Sequence, residues 1–232
     1  EEVGFIEPCG CALAQLGGLA RRATAIAQLR STKQPLLLVH NGGVIAEPGW
    51  QQVLKLETAL AAMGEMGYAA MNLGVGEVSL GGEFLQAQLT IHVIPLLAAI
   101  LRWEGKPLFP GWVVREVGGV RIGIVGVMSI ERAKEAQMYD PSLMWTDPVE
   151  AARQALKALR SQSSMRVLLF HGTLEDAASL AQQVPGYAAV VAQGGEQPLA
   201  EAQQVGGTLL VTPGEKGKWL CALRLETGKV RS

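Results

Sequence analysis

Side chains capable of metal or nucleophile chemistry are few in this sequence. There are three histidines (His40, His92 and His171) and three cysteines (Cys9, Cys11 and Cys221). Imidazole and thiolate are good ligands for zinc or copper, so His40, His171 and the Cys9/Cys11 turn make one candidate set for a single ion. Their spacing matches no paired CxxC unit, and the other reading is hydrogen-bonded histidines beside a structural cysteine pair. That pair could be two ordinary thiols, a disulfide, or a redox couple. Arg21 and Arg22 stand where two guanidinium groups could grip a phosphate or carboxylate, with solvated helix charges as the plainer alternative. Asn41 and Glu77, in glycine-rich turns, complete the ligand-binding candidates. His92, inside the apolar run 91–101, reads as a partly buried structural residue. There is no Gly-x-Ser-x-Gly elbow, and Gly74-Val75-Gly76 lacks the third glycine and the acidic residue of a dinucleotide loop.

Strands buried on both faces read as continuous apolar runs, and residues 35–39, 121–127, 166–170 and 188–192 have that character. Weaker strand candidates lie at 69–73, 113–116, 208–212 and 220–225, with amphipathic helical stretches at 16–30, 51–66, 148–161 and 174–183. Alternating strand and helix predicts an α/β fold with sheets covered by helices. Strand runs end in His40-Asn41-Gly42-Gly43, Gly74-Val75-Gly76-Glu77, His171-Gly172 and Gln193-Gly194-Gly195-Glu196. Ligand sites of open α/β sheets lie at the carboxyl ends of strands, so these turns should converge on one edge. Gly118-Gly119 predicts a hairpin, and residues 102–112 a surface connection. Residues 131–145, with Met138, Tyr139, Met144 and Trp145, form an excursion suited either to protein contacts or to covering the core.

A 232-residue chain with 49% hydrophobic residues can bury one large core, so residues 1–232 are expected to form a single domain. Twenty basic and 21 acidic side chains leave a net charge of -1, which gives no electrostatic footprint for nucleic acid. No run reaches the roughly 18 apolar residues that cross a bilayer, so no membrane span is expected. The start at Glu1 rather than methionine fits a processed or trimmed protein.

Gly4-Phe5-Ile6-Glu7-Pro8 followed by Gly17-Gly18-Leu19-Ala20-Arg21-Arg22 resembles the opening of 5'-nucleotidase-type calcineurin-like metallophosphoesterases. The likeness continues through Met63-Gly64, Leu73-Gly74, Gly81 or Gly82, Gly119-Val120-Arg121-Ile122-Gly123 and His171-Gly172. This resemblance implies a four-layer sandwich of two mixed β-sheets flanked by α-helices. It also implies that the family's carboxy-terminal substrate domain is absent and that its first core strand would lie before Glu1. Family members hold two divalent metals on Asp, His and Asn, which activate water and clamp the phosphate. Matched position by position, the first Asp and His fall on Glu1 and Val3, and the metal-bridging Asp falls on Gly43. The Asn and His of Gly-Asn-His-Glu fall on Val75 and Gly76, leaving Glu77, while His171 matches a histidine ligand. Both histidines of the closing Gly-His-x-His motif are missing from Gln193-Gly194-Gly195-Glu196.

The resemblance thus implies no catalytic residues, no metal held by the family mechanism, and a role as a binding or structural subunit. No cofactor is expected, one zinc or copper ion being the alternative. Like many nucleotidase relatives the chain would be extracytoplasmic, in the periplasm or at the cell surface. Glu7-Pro8-Cys9-Gly10-Cys11 with the Gly-Gly-Leu-Ala-Arg-Arg turn is similar to a bacterial subgroup found beside redox and cytochrome proteins, which implies redox or cytochrome subunits as partners. The rival expectation is an active phosphoesterase with an altered metal site using His171, Glu77 and the Cys9/Cys11 turn; a thiol redox or Cys/His metal-binding protein is the second.

Overall fold

In chain order, the elements are α1 (Leu19–Ser31), β1 (Val39–His40), α2 (Trp50–Glu65), β2 (Ala70–Asn72), α3 (Val75–Val78), α4 (Gly82–Ile91) and β3 (Leu96–Leu97). Next come β4 (Leu101–Trp103), β5 (Lys106–Pro107), β6 (Trp112–Val117), β7 (Val120–Met128), α5 (Ile130–Gln137), β8 (Leu143–Trp145) and α6 (Pro148–Leu159). The last are β9 (Met165–His171), α7 (Leu174–Gln183), β10 (Ala189–Ala192), β11 (Gln203–Val205) and β12 (Thr208–Val211). This computed structural model describes residues 2–8, 15–91 and 93–226.

Two sheets form the sandwich. One is parallel, in the order β1-β2-β3; the other is mixed, in the order β11-β12-β10-β9-β7-β6, with its antiparallel strands at the two ends. Side chains alternate across a strand, and β7 and β9 show why both read as unbroken apolar runs. Ile122, Ile124, Val167 and Leu169 join Ala70 and Leu97 in a core between the two sheets. Val125, Val127, Leu168 and Phe170 face a second core, shared with Ala152, Ala155, Leu156 and Leu159 of α6 and Ala177, Leu180 and Ala181 of α7. The α/β sandwich with helical cover is therefore the fold.

Helix starts are fixed locally. Ser129, Asp147 and Thr173 each accept a backbone N–H from the first turn of α5, α6 and α7, and Pro148 begins α6 where its missing N–H costs nothing. Because Ser129 and Thr173 sit one and two residues past the ends of β7 and β9, chain polarity puts both strand ends beside helix starts at one edge.

Some expectations need correction. Residues 220–225 join no ladder, and in residues 35–39 only Val39 does so, paired through β1 with β2. Residues 102–112 and 131–145 contain β4, β5, α5 and β8, and β5-β4-β8 is a small antiparallel sheet. Strands of two or three residues are too short to show a period. Among the described residues, no helix is long and apolar enough to cross a membrane.

Candidate functional site

The predicted turns meet at the carboxyl edge of the strands, the fourth through Gln193, and the first three are held by buried polar side chains. The first anchor is Glu2, fully buried, whose carboxylate pairs with the Arg22 guanidinium and lies 2.7 Å from His40 Nε2. His40 Nδ1 accepts the Gly42 N–H at 3.1 Å, so the ring proton sits on Nε2 and is donated to Glu2. Burial alone would raise the Glu2 carboxyl, but His40 and Arg22 hold it well below the usual carboxylate range. Burial opposes the Arg22 charge, yet Glu2 raises its pKa above the ordinary value. Tyr68 packs edge-on to His40, 6.3 Å between ring centres, and burial raises its phenol.

Glu77 ties the second turn to the first. Its carboxylate accepts four backbone N–H groups: Gly43 at 3.0 Å, Val44 at 2.7 Å, Ile45 at 3.2 Å and Gly74 at 2.7 Å. The turns approach so closely that a side chain has no room. A Cβ on Gly74 would lie 2.6 Å from Gly43 N and 2.7 Å from His171 Cε1, and one on Gly76 would lie 2.0 Å from Ile45 O.

His171 closes the third turn. Its Nδ1–H donates to Asn41 O at 3.1 Å, while Nε2 accepts from the Gln193 amide at 3.2 Å and from Val75 N at 3.4 Å. Both nitrogens are thereby engaged in the neutral form, and complete burial pushes the imidazole pKa down to about 3. Asn41 donates to Phe170 O at 2.9 Å and accepts from Asn72 at 3.2 Å. The Asn72 amide also donates to Val127 O at 2.9 Å and Leu169 O at 3.1 Å, so the pair fastens one sheet to the other.

Of the candidates, Asn41, Glu77, His40, His171 and Arg22 come together, although the histidine nitrogens point at separate partners. Arg21 is exposed and donates to Gln15 O. Glu196 lies apart, paired with Lys216 at 3.2 Å. Cys9, Cys11 and His92 fall outside the described residues. Glu2, Tyr68 and Asn72 are the site residues that sequence reasoning missed, and Gln193 was named there only as part of a turn; an amide inside the otherwise apolar run 69–73 was the one signal available, at Asn72.

A two-metal centre does not fit these residues. Among those described, no three or more His, Cys, Asp or Glu side chains are grouped to hold an ion. Gly43, at the bridging position, carries no side chain to bridge two ions. The Glu77 oxygens face backbone donors instead of open space.

No family model matches the sequence. The chain is similar in sequence to 5'-nucleotidases, and its fold is the metallophosphoesterase-type fold of solved 5'-nucleotidases and of a calcineurin-like phosphoesterase. Among curated relatives, a 5'-nucleotidase of Diplobatis ommata is 30% identical over 190 residues, covering 78% of this chain and 33% of the relative. The chain thus spans about a third of the length of such relatives. A 5'-nucleotidase precursor from Thermus thermophilus superposes with TM-score 0.80 at 23% identity over 94% of this chain and 48% of that one. The calcineurin-like phosphoesterase YfkN of Bacillus subtilis gives TM-score 0.70 at 20% identity, covering 87% and 74%.

Proposed function

We propose that this domain is a non-catalytic metallophosphoesterase-like subunit, needing no metal, that binds or scaffolds other components. The observation carrying this reading is the Glu77 clamp: the one family carboxylate retained in its turn accepts four backbone N–H groups and holds the ligand-bearing turns against each other. Such an edge serves shape, since water activation needs open coordination positions. Exposed Met138, Tyr139 and Met144 support a protein-contact role for the 131–145 segment, because such side chains are enriched where proteins meet. Redox or cytochrome subunits are the partner class suggested by the opening turn. An extracytoplasmic location is supported by the relatives, one of them a precursor. The test is pull-down from the periplasmic fraction with the intact chain and a Met138→Glu/Met144→Glu variant: a partner lost only with the variant supports the role, and capture indifferent to both substitutions opposes it.

A second reading, a phosphoesterase with an altered site, draws on the activity for which the relatives are named. It requires His171 Nε2 to exchange the Gln193 and Val75 hydrogens for a metal. Its mark would be stoichiometric metal in the purified protein.

A further inference from the structure

The small sheet β5-β4-β8 has one face in the core and the other in solvent. Leu101 and Leu143 are buried, and Trp103 and Trp145 pack against the same core. Cross-strand partners share a face, so the register sets Arg102 between Pro107 of β5 and Met144 of β8 on the opposite side. Arg102 is half-buried there, and Pro107 and Met144 are exposed. Gln137 Nε2 donates to Leu143 O at 2.8 Å and closes the loop that carries exposed Met138 and Tyr139 up to β8.

Three observations describe what this face would hold. First, the sheet is closed to a further strand. Leu108 N–H bonds Leu101 O at 3.1 Å, which turns Pro107 to the outer edge of β5, where it offers no N–H. At the β8 edge, Leu143 donates its N–H to Asp140 O at 3.1 Å, and its carbonyl accepts from Gln137. A partner must therefore be read through side chains. Second, five of the seven methionines are buried, and the two exposed ones, Met138 and Met144, flank this one loop. Flexible thioethers beside a tyrosine adapt to an apolar surface. Third, Arg102, in the middle of the row, enters none of the ion pairs of the described residues.

We infer that this face takes a partner segment with one carboxylate among apolar side chains. Arg102 grips the carboxylate with its planar fork, and Met144, Pro107 and the Met138/Tyr139 loop cover the apolar flanks. A guanidinium is weakly hydrated and its stem lies along apolar side chains, so it suits a contact from which water is displaced. The inference rests on the reading of this domain as a binding subunit and adds the chemistry of what it binds.

To test it, a random peptide library displayed on phage is selected on the intact 232-residue chain, and the recovered peptides are titrated against the chain and its variants. The peptides should carry Asp or Glu beside Leu, Phe or Trp and bind Arg102→Gln about tenfold more weakly. Arg102→Lys, which keeps the charge and loses the fork, should fall between. Met144→Gln, at an exposed position, should weaken the same peptides and leave the melting temperature unchanged. Peptides without a carboxylate, no enrichment, or binding indifferent to either Arg102→Gln or Met144→Gln would overturn the inference. Stoichiometric metal with turnover would instead remove the non-catalytic reading and leave the peptide result standing.

Discussion

The Glu77 carboxylate lies 3.0 Å from the backbone nitrogen of Gly43, the residue standing where the family resemblance places a metal-bridging aspartate. An anion is thus fastened to the turn that would otherwise present one. The two turns share the same carboxylate, and the glycines between them permit the approach.

Glu77→Ala would leave four buried N–H donors without their acceptor, at a cost of about 3 kcal/mol or more. Glu77→Gln keeps one carbonyl acceptor and should cost roughly half as much. Urea denaturation of the three proteins gives the order, and an unchanged midpoint for Glu77→Ala would refute the clamp.

Restoring the missing aspartate should not restore chemistry. Gly43→Asp must hold a left-handed backbone conformation at φ 73°, which aspartate adopts more readily than most residues, at a cost of about 1 kcal/mol. The expected result is a lower melting temperature with no manganese-dependent hydrolysis of p-nitrophenyl phosphate.

Acid sensitivity follows from His171. Its folded pKa of about 3 lies below the unfolded value near 6.5, so only the unfolded state takes up the proton between those values, and stability falls as pH drops through that window. The loss should amount to about 2 kcal/mol from pH 7 to pH 5. Glu2 adds a second phase: its folded pKa is depressed, so its contribution is present above about pH 4.3 and lost as pH falls further. Denaturation curves at pH 7, 5 and 4 test both, with His171→Gln removing the first phase and Glu2→Gln the second.

Asn72 is expected to prefer its amide strongly. Asn72→Asp would set a second acceptor against Val127 O and Leu169 O, whereas Asn72→Ala only removes the donor. The aspartate variant should be the less stable of the two at neutral pH in thermal melts.

Much of the frame was legible because β7 and β9 are covered on both faces, which leaves unbroken apolar runs in the sequence. The turns after them were legible through glycine. What sequence could not show was distance: Glu2 finds its partners at Arg22 and His40, 20 and 38 residues along the chain. The Glu77 clamp was hidden for a different reason, since backbone N–H donors carry no mark in residue type. Residues 220–225 have the apolar character of a strand, but among the described residues they join no ladder and only 223–226 alternate in burial.

Metal content and turnover, measured together, decide most directly whether this edge is a scaffold. Protein purified without chelator would be analysed for zinc, manganese, iron and copper at known concentration, then assayed on 5'-AMP with each metal added. A scaffold should carry no stoichiometric metal and release no phosphate above the blank; two metals per chain with phosphate release would contradict it and make the protein an enzyme.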